Sequence, residues 1–248
     1  MVERKKQSWQ GERKAKKAKL GVGTVQFGTN YGISNTEGQT EEAEVGRILS
    51  LAQREGIEVL DTAAQYGDSE DVLGRQLPGR EAFRIVTKTP SFGRSQLDGT
   101  ESRKLTATFH RSLERLGREN LYGLLVHAAD DLLADGGDVL YSAMQELQKS
   151  GKVEKIGASV YTPQQLDKLL GQYPLDIVQL PLNAFDQRML QSGLLRTLKR
   201  EGVEIHVRSI FLQGLLLMSP KQLPNRLAPA REPLQRFHEA CAKAGTKP

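Results

Sequence analysis

The 248-residue chain holds one cysteine, one tryptophan, four histidines and only 6% aromatic residues. A lone Cys241 excludes an internal disulfide, and a reducing cytoplasm is the expected compartment. No run approaches 18 consecutive apolar residues, which argues against a membrane-spanning helix. The N-terminus is charged and lacks an apolar core, so no secretory signal is expected. His110, His127, His206 and His238 show no ligand spacing, and no metal site is expected. No Gly-x-Ser-x-Gly elbow points to a serine hydrolase. The run Gly21-Val22-Gly23-Thr24-Val25-Gln26-Phe27-Gly28 also fails the glycine spacing of an open dinucleotide-binding sheet.

The composition is that of an ordinary globular protein, 38% hydrophobic and 26% charged. The formal net charge of +5 is unevenly spread: residues 1–19 carry eight basic and two acidic side chains, leaving the rest at −1. Residues 1–19 therefore read as a basic, disordered tail, and residues 20–248 as one domain. Such a tail can touch nucleic acid or an anionic membrane. With Trp9 as its one aromatic it has no stacking pattern, so neither partner is expected.

Seven apolar, Val/Ile/Leu-rich runs predict strands at Leu20–Phe27, Ile57–Thr62, Phe83–Lys88, Leu121–His127, Val153–Ser159, Asp176–Leu182 and Val203–Phe211. Helical spacing predicts helices at Glu41–Glu55, Ser102–Leu116, Asp138–Lys149, Pro163–Leu170 and Met189–Arg200. Gly56, Gly117, Gly151, Gly171 and Gly202 fall near their C-terminal ends, where a left-handed residue is easiest for glycine. Regular alternation means a parallel sheet. Polar candidates follow many strands rather than one switch point, which favours a (β/α)8 barrel of the TIM type over an open sheet. About seven strands are present, and the eighth βα unit is expected to be missing.

Asp61, Tyr66, Lys88 and His127 stand at or just past the ends of the second, third and fourth predicted strands, where barrel enzymes build active sites. A free phenol, with a pKa of about 10, is a poor proton donor near neutrality. An adjacent ammonium is expected to lower it. A carboxylate holds the lysine charged, and a neutral imidazole orients a carbonyl oxygen. Tyr66 is thus expected to lie within hydrogen-bond reach of Lys88. The set delivers a proton but no hydride, so a nicotinamide cofactor is implied. Singly, each residue has a structural explanation; jointly, at three consecutive strand ends, they are much harder to dismiss.

At these residues the sequence resembles the aldo-keto reductase family, over residues 20 to about 246. Gly21-Val22-Gly23-Thr24 looks like its first-strand motif, and Asp61, Tyr66, Lys88 and His127 fall on its catalytic tetrad. The stretches Thr24–Gly28 and Tyr31–Asn35 resemble a bacterial branch. The resemblance implies NAD(P)H-dependent reduction of an aldehyde or ketone, with NADP(H) or NAD(H) as cofactor. It assigns cofactor contacts to Gly23, Thr24, Asp61, Ser159, Gln179, Arg208, Ser209, Phe211, Gln213 and Gly214, with Asn183 as a second candidate near the nicotinamide amide. Candidate substrate walls are Phe27, Tyr31, Gln65 and Phe185. Two positions depart from the family's common pattern: Val160 where many members carry Asn, and Arg208 where many stack an aromatic on the nicotinamide. With the eighth unit missing, weak cofactor binding, little turnover and self-association through open barrel edges are expected of residues 1–248. The competing reading is a non-catalytic or fragmentary scaffold of the same family with a binding or regulatory role.

Overall fold

The computed structural model describes residues 19–77, 79 and 81–248. The expected basic tail lies outside the described residues, save for Lys19. Seven strands, β1 (Gly21–Gly23), β2 (Val59–Asp61), β3 (Arg84–Lys88), β4 (Leu121–Val126), β5 (Val153–Ser159), β6 (Ile177–Pro181) and β7 (Glu204–Arg208), form one sheet in sequential order. Every neighbouring pair is parallel, and helices connect most of them, giving a curled, incomplete (β/α)8 barrel. The pairing runs from β1 to β7 without a β7–β1 ladder among the described residues.

Local signals explain most of the elements. Helix Gly99–Leu116 starts at a reciprocal capping box between Asp98 and Glu101 and ends at Gly117, φ 61°. Helix Pro163–Leu170 has Pro at its start and a second box between Thr162 and Gln165. Helix Glu42–Arg54 turns Val45, Leu49 and Ala52 inward, and helix Asp138–Lys149 does the same with Leu140, Met144 and Leu147. These stripes pack on the outward strand residues Leu60, Ile85, Leu124, Ile156 and Val178 to make the main core.

Four expectations of the sequence fail here, each to a local cause. The first strand ends at Gly23, and Val25–Gly28 is a helical turn. Buried Thr24 donates both its amide and its hydroxyl to the Asp61 carbonyl, at 2.9 and 3.0 Å, and stops the ladder. The last strand ends at Arg208, because Ser209, Leu212 and Gln213 all take left-handed backbone, φ 59°, 48° and 57°. The helix expected over Met189–Arg200 is two, Arg188–Gln191 and Leu194–Arg200, separated by Gly193 at φ 81°. Gly171 ends its helix in right-handed backbone, unlike Gly56, Gly117, Gly151 and Gly202. Helices Ser69–Gln76, Ala129–Leu133 and Arg231–Lys243 were not anticipated. The last of these packs Leu234 and Phe237 into a small second core with Leu215, Leu216, Leu223 and Ile33.

Alternate strand residues point inward, and because barrel strands are staggered the inner face is layered across the register rather than along it. Tyr122, Lys155, Glu204 and His206 lie at the floor. Val59, Val86, Leu125 and Ile177 form an apolar layer above them. Asp61, Lys88, Ser159, Gln179 and Arg208 stand at the rim. Gly157 sits in the middle of β5, where an added Cβ would lie 1.7 Å from the Ile177 carbonyl oxygen. Gly157→Ala should therefore destabilise by more than the ~1–3 kcal/mol of ordinary overpacking. A urea midpoint within ~0.5 kcal/mol of the parent would show that β5 and β6 do not pack this closely.

Candidate active site

The rim is built from the β2 end outward. The Asp61 carboxylate is turned into the barrel, where its Oδ1 accepts from Lys88 Nζ and from Gln179 Nε2, both at 2.8 Å. Lys88 is 1% exposed and gives a second hydrogen bond, 2.8 Å, to the Thr62 carbonyl. The Ser159 hydroxyl donates to Gln179 Oε1 at 3.2 Å, so one chain of contacts runs from β3 through β2 and β6 to β5. Burial pulls the Lys88 pKa down, opposed by the charge of Asp61.

The loop carrying Tyr66 is fixed from below. The Ser69 hydroxyl donates to the Thr24 carbonyl at 2.9 Å and touches the Thr24 and Thr62 hydroxyls at 2.8 and 3.1 Å. Gly28 passes so close that a Cβ there would lie 1.9 Å from the Tyr66 carbonyl oxygen. Tyr66 then meets His127 edge-to-face, ring centroids 5.8 Å apart. The Lys88 ammonium lies 5.0 Å from the centre of the Tyr66 ring. All four residues of the constellation are therefore brought together.

The contact between Tyr66 and Lys88 differs from the expectation. The ammonium gives its hydrogen bonds to Asp61 and Thr62 and addresses the phenol ring instead of the phenol oxygen. Nor is the Tyr66 pKa lowered. Burial raises it, and the negative charge of Asp61 raises it further, with Arg208 opposing. Tyr66 is thus held as a neutral phenol. His127 is neutral as well: burial and the Lys88 charge bring its pKa from 6.5 to about 4. Its amide donates to Thr89 Oγ1 at 3.2 Å, and its buried Nδ1 has no partner.

The acid stability of the protein should reflect this. The unfolded chain takes up a proton at His127 near pH 6.5, whereas the folded chain resists until about pH 4. Stability present above pH 6.5 is lost as pH falls through that window. At the floor, Glu204 accepts from Tyr122 at 2.5 Å, pairs with Lys155 and meets His206 Nε2 at 2.8 Å. These partners outweigh the cost of burial and hold its pKa at about 2, against 4.5 for the free side chain. A second loss is expected between pH 4.5 and 2. Thermal melts at stepped pH should show both, and His127→Gln should flatten the upper one; an unchanged upper step would place His127 in water.

The remaining candidates are spread around the rim. Gly23 lies on an open face: an added Cβ would meet nothing within 4 Å. Ser159 and Gln179 are buried. Arg208 donates to the Val160 carbonyl at 3.1 Å and to Ser209 Oγ at 3.4 Å, and its guanidinium stacks on Tyr161 at 4.0 Å. Phe211 is exposed. The Gln213 carbonyl accepts from the Ile33 and Ser34 amides at 3.1 and 3.3 Å. A Cβ on Gly214 would strike Ser34 Oγ at 1.7 Å, so the 209–214 loop is clasped to the loop after β1.

Of the four proposed walls, Phe27 is packed in the main core and is not a pocket surface. Tyr31 and Phe185 are exposed, Phe185 against Phe237, and Gln65 is tied to Ser91. A cleft of about 580 Å³ opens instead near the floor, lined in part by Arg84, Tyr122 and Glu154. Sequence reasoning missed Ser69, Thr62 and Tyr161. Of these, only Tyr161 had a local signal, its place two residues after Ser159.

The strand-sequential parallel sheet, with polar groups gathered at the strand C-terminal ends, defines an incomplete α/β barrel. The Aldo/keto reductase family model matches residues 19–247. The aldo-keto reductase YhdN of Bacillus subtilis (strain 168) is 28% identical over 71% of this chain and 54% of its own length. Glyoxal reductase of the same organism is 29% identical over 79% and 67%. The crystal structure of a Pseudomonas aeruginosa protein assigned to the same family superposes with a TM-score of 0.63 at 28% identity, over 76% of this chain and 72% of that one. The chain belongs to the aldo/keto reductase family. It spans just over half the length of the first curated relative it matches.

Proposed function

We propose that the whole protein reduces an aldehyde or ketone to an alcohol with hydride from NADPH or NADH. The observation that carries this is the rim constellation: a neutral phenol and a neutral imidazole in ring contact, beside buried Lys88 paired with half-buried Asp61. A bound nicotinamide supplies the hydride. His127 donates an N–H to the carbonyl oxygen and orients it. As the carbon accepts hydride, the C=O electron pair moves to oxygen and Tyr66 gives that oxygen its proton. The phenolate left behind is stabilised by the Lys88 ammonium near its ring and by Arg208, and is reprotonated from water. The open backbone at Gly23 fits a flat ring beside Asp61, and Ser159 with Gln179 offers polar atoms for its amide. The backbone of the 209–214 loop, clasped by Ile33 and Ser34, is proposed to hold the diphosphate.

Among the described residues no helix is long and apolar enough to cross a membrane. With Cys241 as the single cysteine, we place the protein in the cytoplasm. The name of the glyoxal reductase relative supports small aldehydes as the first substrates to try. A second reading, a family scaffold that binds without turnover, is favoured by the lack of a β7–β1 ladder among the described residues, since unpaired strand edges invite self-association. NADPH titration followed by fluorescence tests the main reading. A saturable change, weakened about tenfold when Ser159→Ala and Gln179→Ala are combined, is the expected result. No saturable change up to millimolar cofactor would overturn it.

A further inference from the structure

Glu70 is an ionisable residue that the proposed reaction does not use, although it is 1% exposed. With Ser69 it opens the helix Ser69–Gln76 that follows the Tyr66 loop. Its Oε1 accepts from the Thr87 hydroxyl at 2.7 Å. Thr87 is buried and directly precedes Lys88 on β3, so Thr87 faces the helix and Lys88 the barrel interior. A second path joins the same elements on the inside. Lys88 Nζ donates to the Thr62 carbonyl at 2.8 Å, and the Thr62 hydroxyl meets the Ser69 hydroxyl at 3.1 Å. Two buried paths thus run from β3 to the first two residues of this helix. The Ser69 amide in turn donates to the Tyr66 carbonyl at 3.0 Å. The helix has no room to slide, because a Cβ on Gly74 would lie 1.8 Å from the Arg115 carbonyl oxygen of helix Gly99–Leu116.

A carboxylate is a costly way to pack a helix on a strand. Glu70 Oε2 has no hydrogen-bond partner among the described residues. Arg115 Nη1 stands 3.6 Å from it, on a side chain 37% exposed and shared with Asp71. Two apolar side chains of similar size would hold the two elements together as firmly or more so. They would not supply a short, charge-assisted bond, which fixes distance and orientation. We propose that Glu70 is a positioning residue for proton delivery: through Thr87 it sets the Lys88 ammonium against the Tyr66 ring, 5.0 Å from its centre. This deepens the reductase reading and rests on it for the catalytic consequence. The Glu70 charge also favours the Lys88 ammonium, in the same sense as Asp61. Loss of a merely structural Glu70 would lower stability. Loss of a positioning one lowers turnover while stability holds.

The double variant Thr87→Val/Glu70→Met of the full chain tests this, because it replaces the contact by apolar side chains of similar shape and leaves Arg115 its pairing with Asp71 at 3.7 Å. Its urea midpoint is expected to equal or exceed the parent's. Its kcat for glyoxal is expected to fall about 10–10²-fold with KM and NADPH affinity unchanged, as for a small misplacement of reacting groups. NMR of isotope-labelled lysine gives a reading that needs no turnover. The Lys88 ε-methylene signal, assigned by its loss in Lys88→Met, is expected to be displaced by the Tyr66 ring in the parent and to move toward that of a ring-free lysine in the double variant. Thr87→Ser, which keeps the hydroxyl, should retain the parental signal and kcat, and Thr87→Val alone should not; this pair decides the matter if the double variant does not fold. An unmoved Lys88 signal in a folded Val variant overturns the proposal, as does a loss of kcat that only follows a loss of stability. A parent without turnover overturns the reductase reading alone, and the Lys88 signal still decides what the contact does.

Discussion

Tyr66→Phe should reduce carbonyl turnover by about 10²–10⁴-fold, the usual worth of general acid catalysis, while cofactor affinity changes little. The substitution removes one oxygen. The ring keeps its edge contact with His127 and its place beside the Lys88 ammonium. Burial and the Asp61 charge raise the Tyr66 pKa, so the proton is on the phenol near neutral pH, at the expense of its strength as an acid. Steady-state rates and NADPH titrations on the same two proteins separate chemistry from binding. Near-parental turnover in the Phe variant would mean that another group donates the proton.

Asp61→Leu should be the most damaging change to stability at the rim. It leaves the Lys88 ammonium buried with only the Thr62 carbonyl for company, and it strips Gln179 of its acceptor. Removing one partner of a buried pair costs about 3–5 kcal/mol. A double variant with Lys88→Met should recover much of that loss, since two apolar side chains need no counter-charge. Urea midpoints for the four proteins of this cycle give the coupling directly. A single variant within 1 kcal/mol of the parent would mean that the pair is hydrated and weak.

The rim was legible because its polar residues end or interrupt apolar runs. Asp61, Lys88, His127, Ser159 and Gln179 stand out against Val, Leu and Ile on that account. What lay between those residues was not legible. Which atoms Lys88 addresses depends on the Thr62 carbonyl, a backbone group that every sequence has. The Ser69 hydroxyl that anchors the Tyr66 loop contacts Thr24, 45 positions away. Val25 and Phe27 extend an apolar run, yet Thr24 ends the strand by binding Asp61, a tertiary contact that overrides propensity. The floor cluster was invisible for the same reason: Tyr122, Lys155, Glu204 and His206 look like the polar edges of three unrelated segments until the barrel curls. Helix Arg231–Lys243, with Leu234 and Phe237 on one face, carried a readable period that went unused.

The central claim is that this rim passes a hydride and a proton to a carbonyl. Incubation of the full chain with NADPH deuterated at the transferring position and with glyoxal, followed by mass analysis of the alcohol, tests it most directly, because label accumulates even when turnover is slow. The account predicts glycolaldehyde with one deuterium on its carbinol carbon, greatly diminished for Tyr66→Phe. Unlabelled alcohol, or labelled alcohol at equal rates from both proteins, would contradict it.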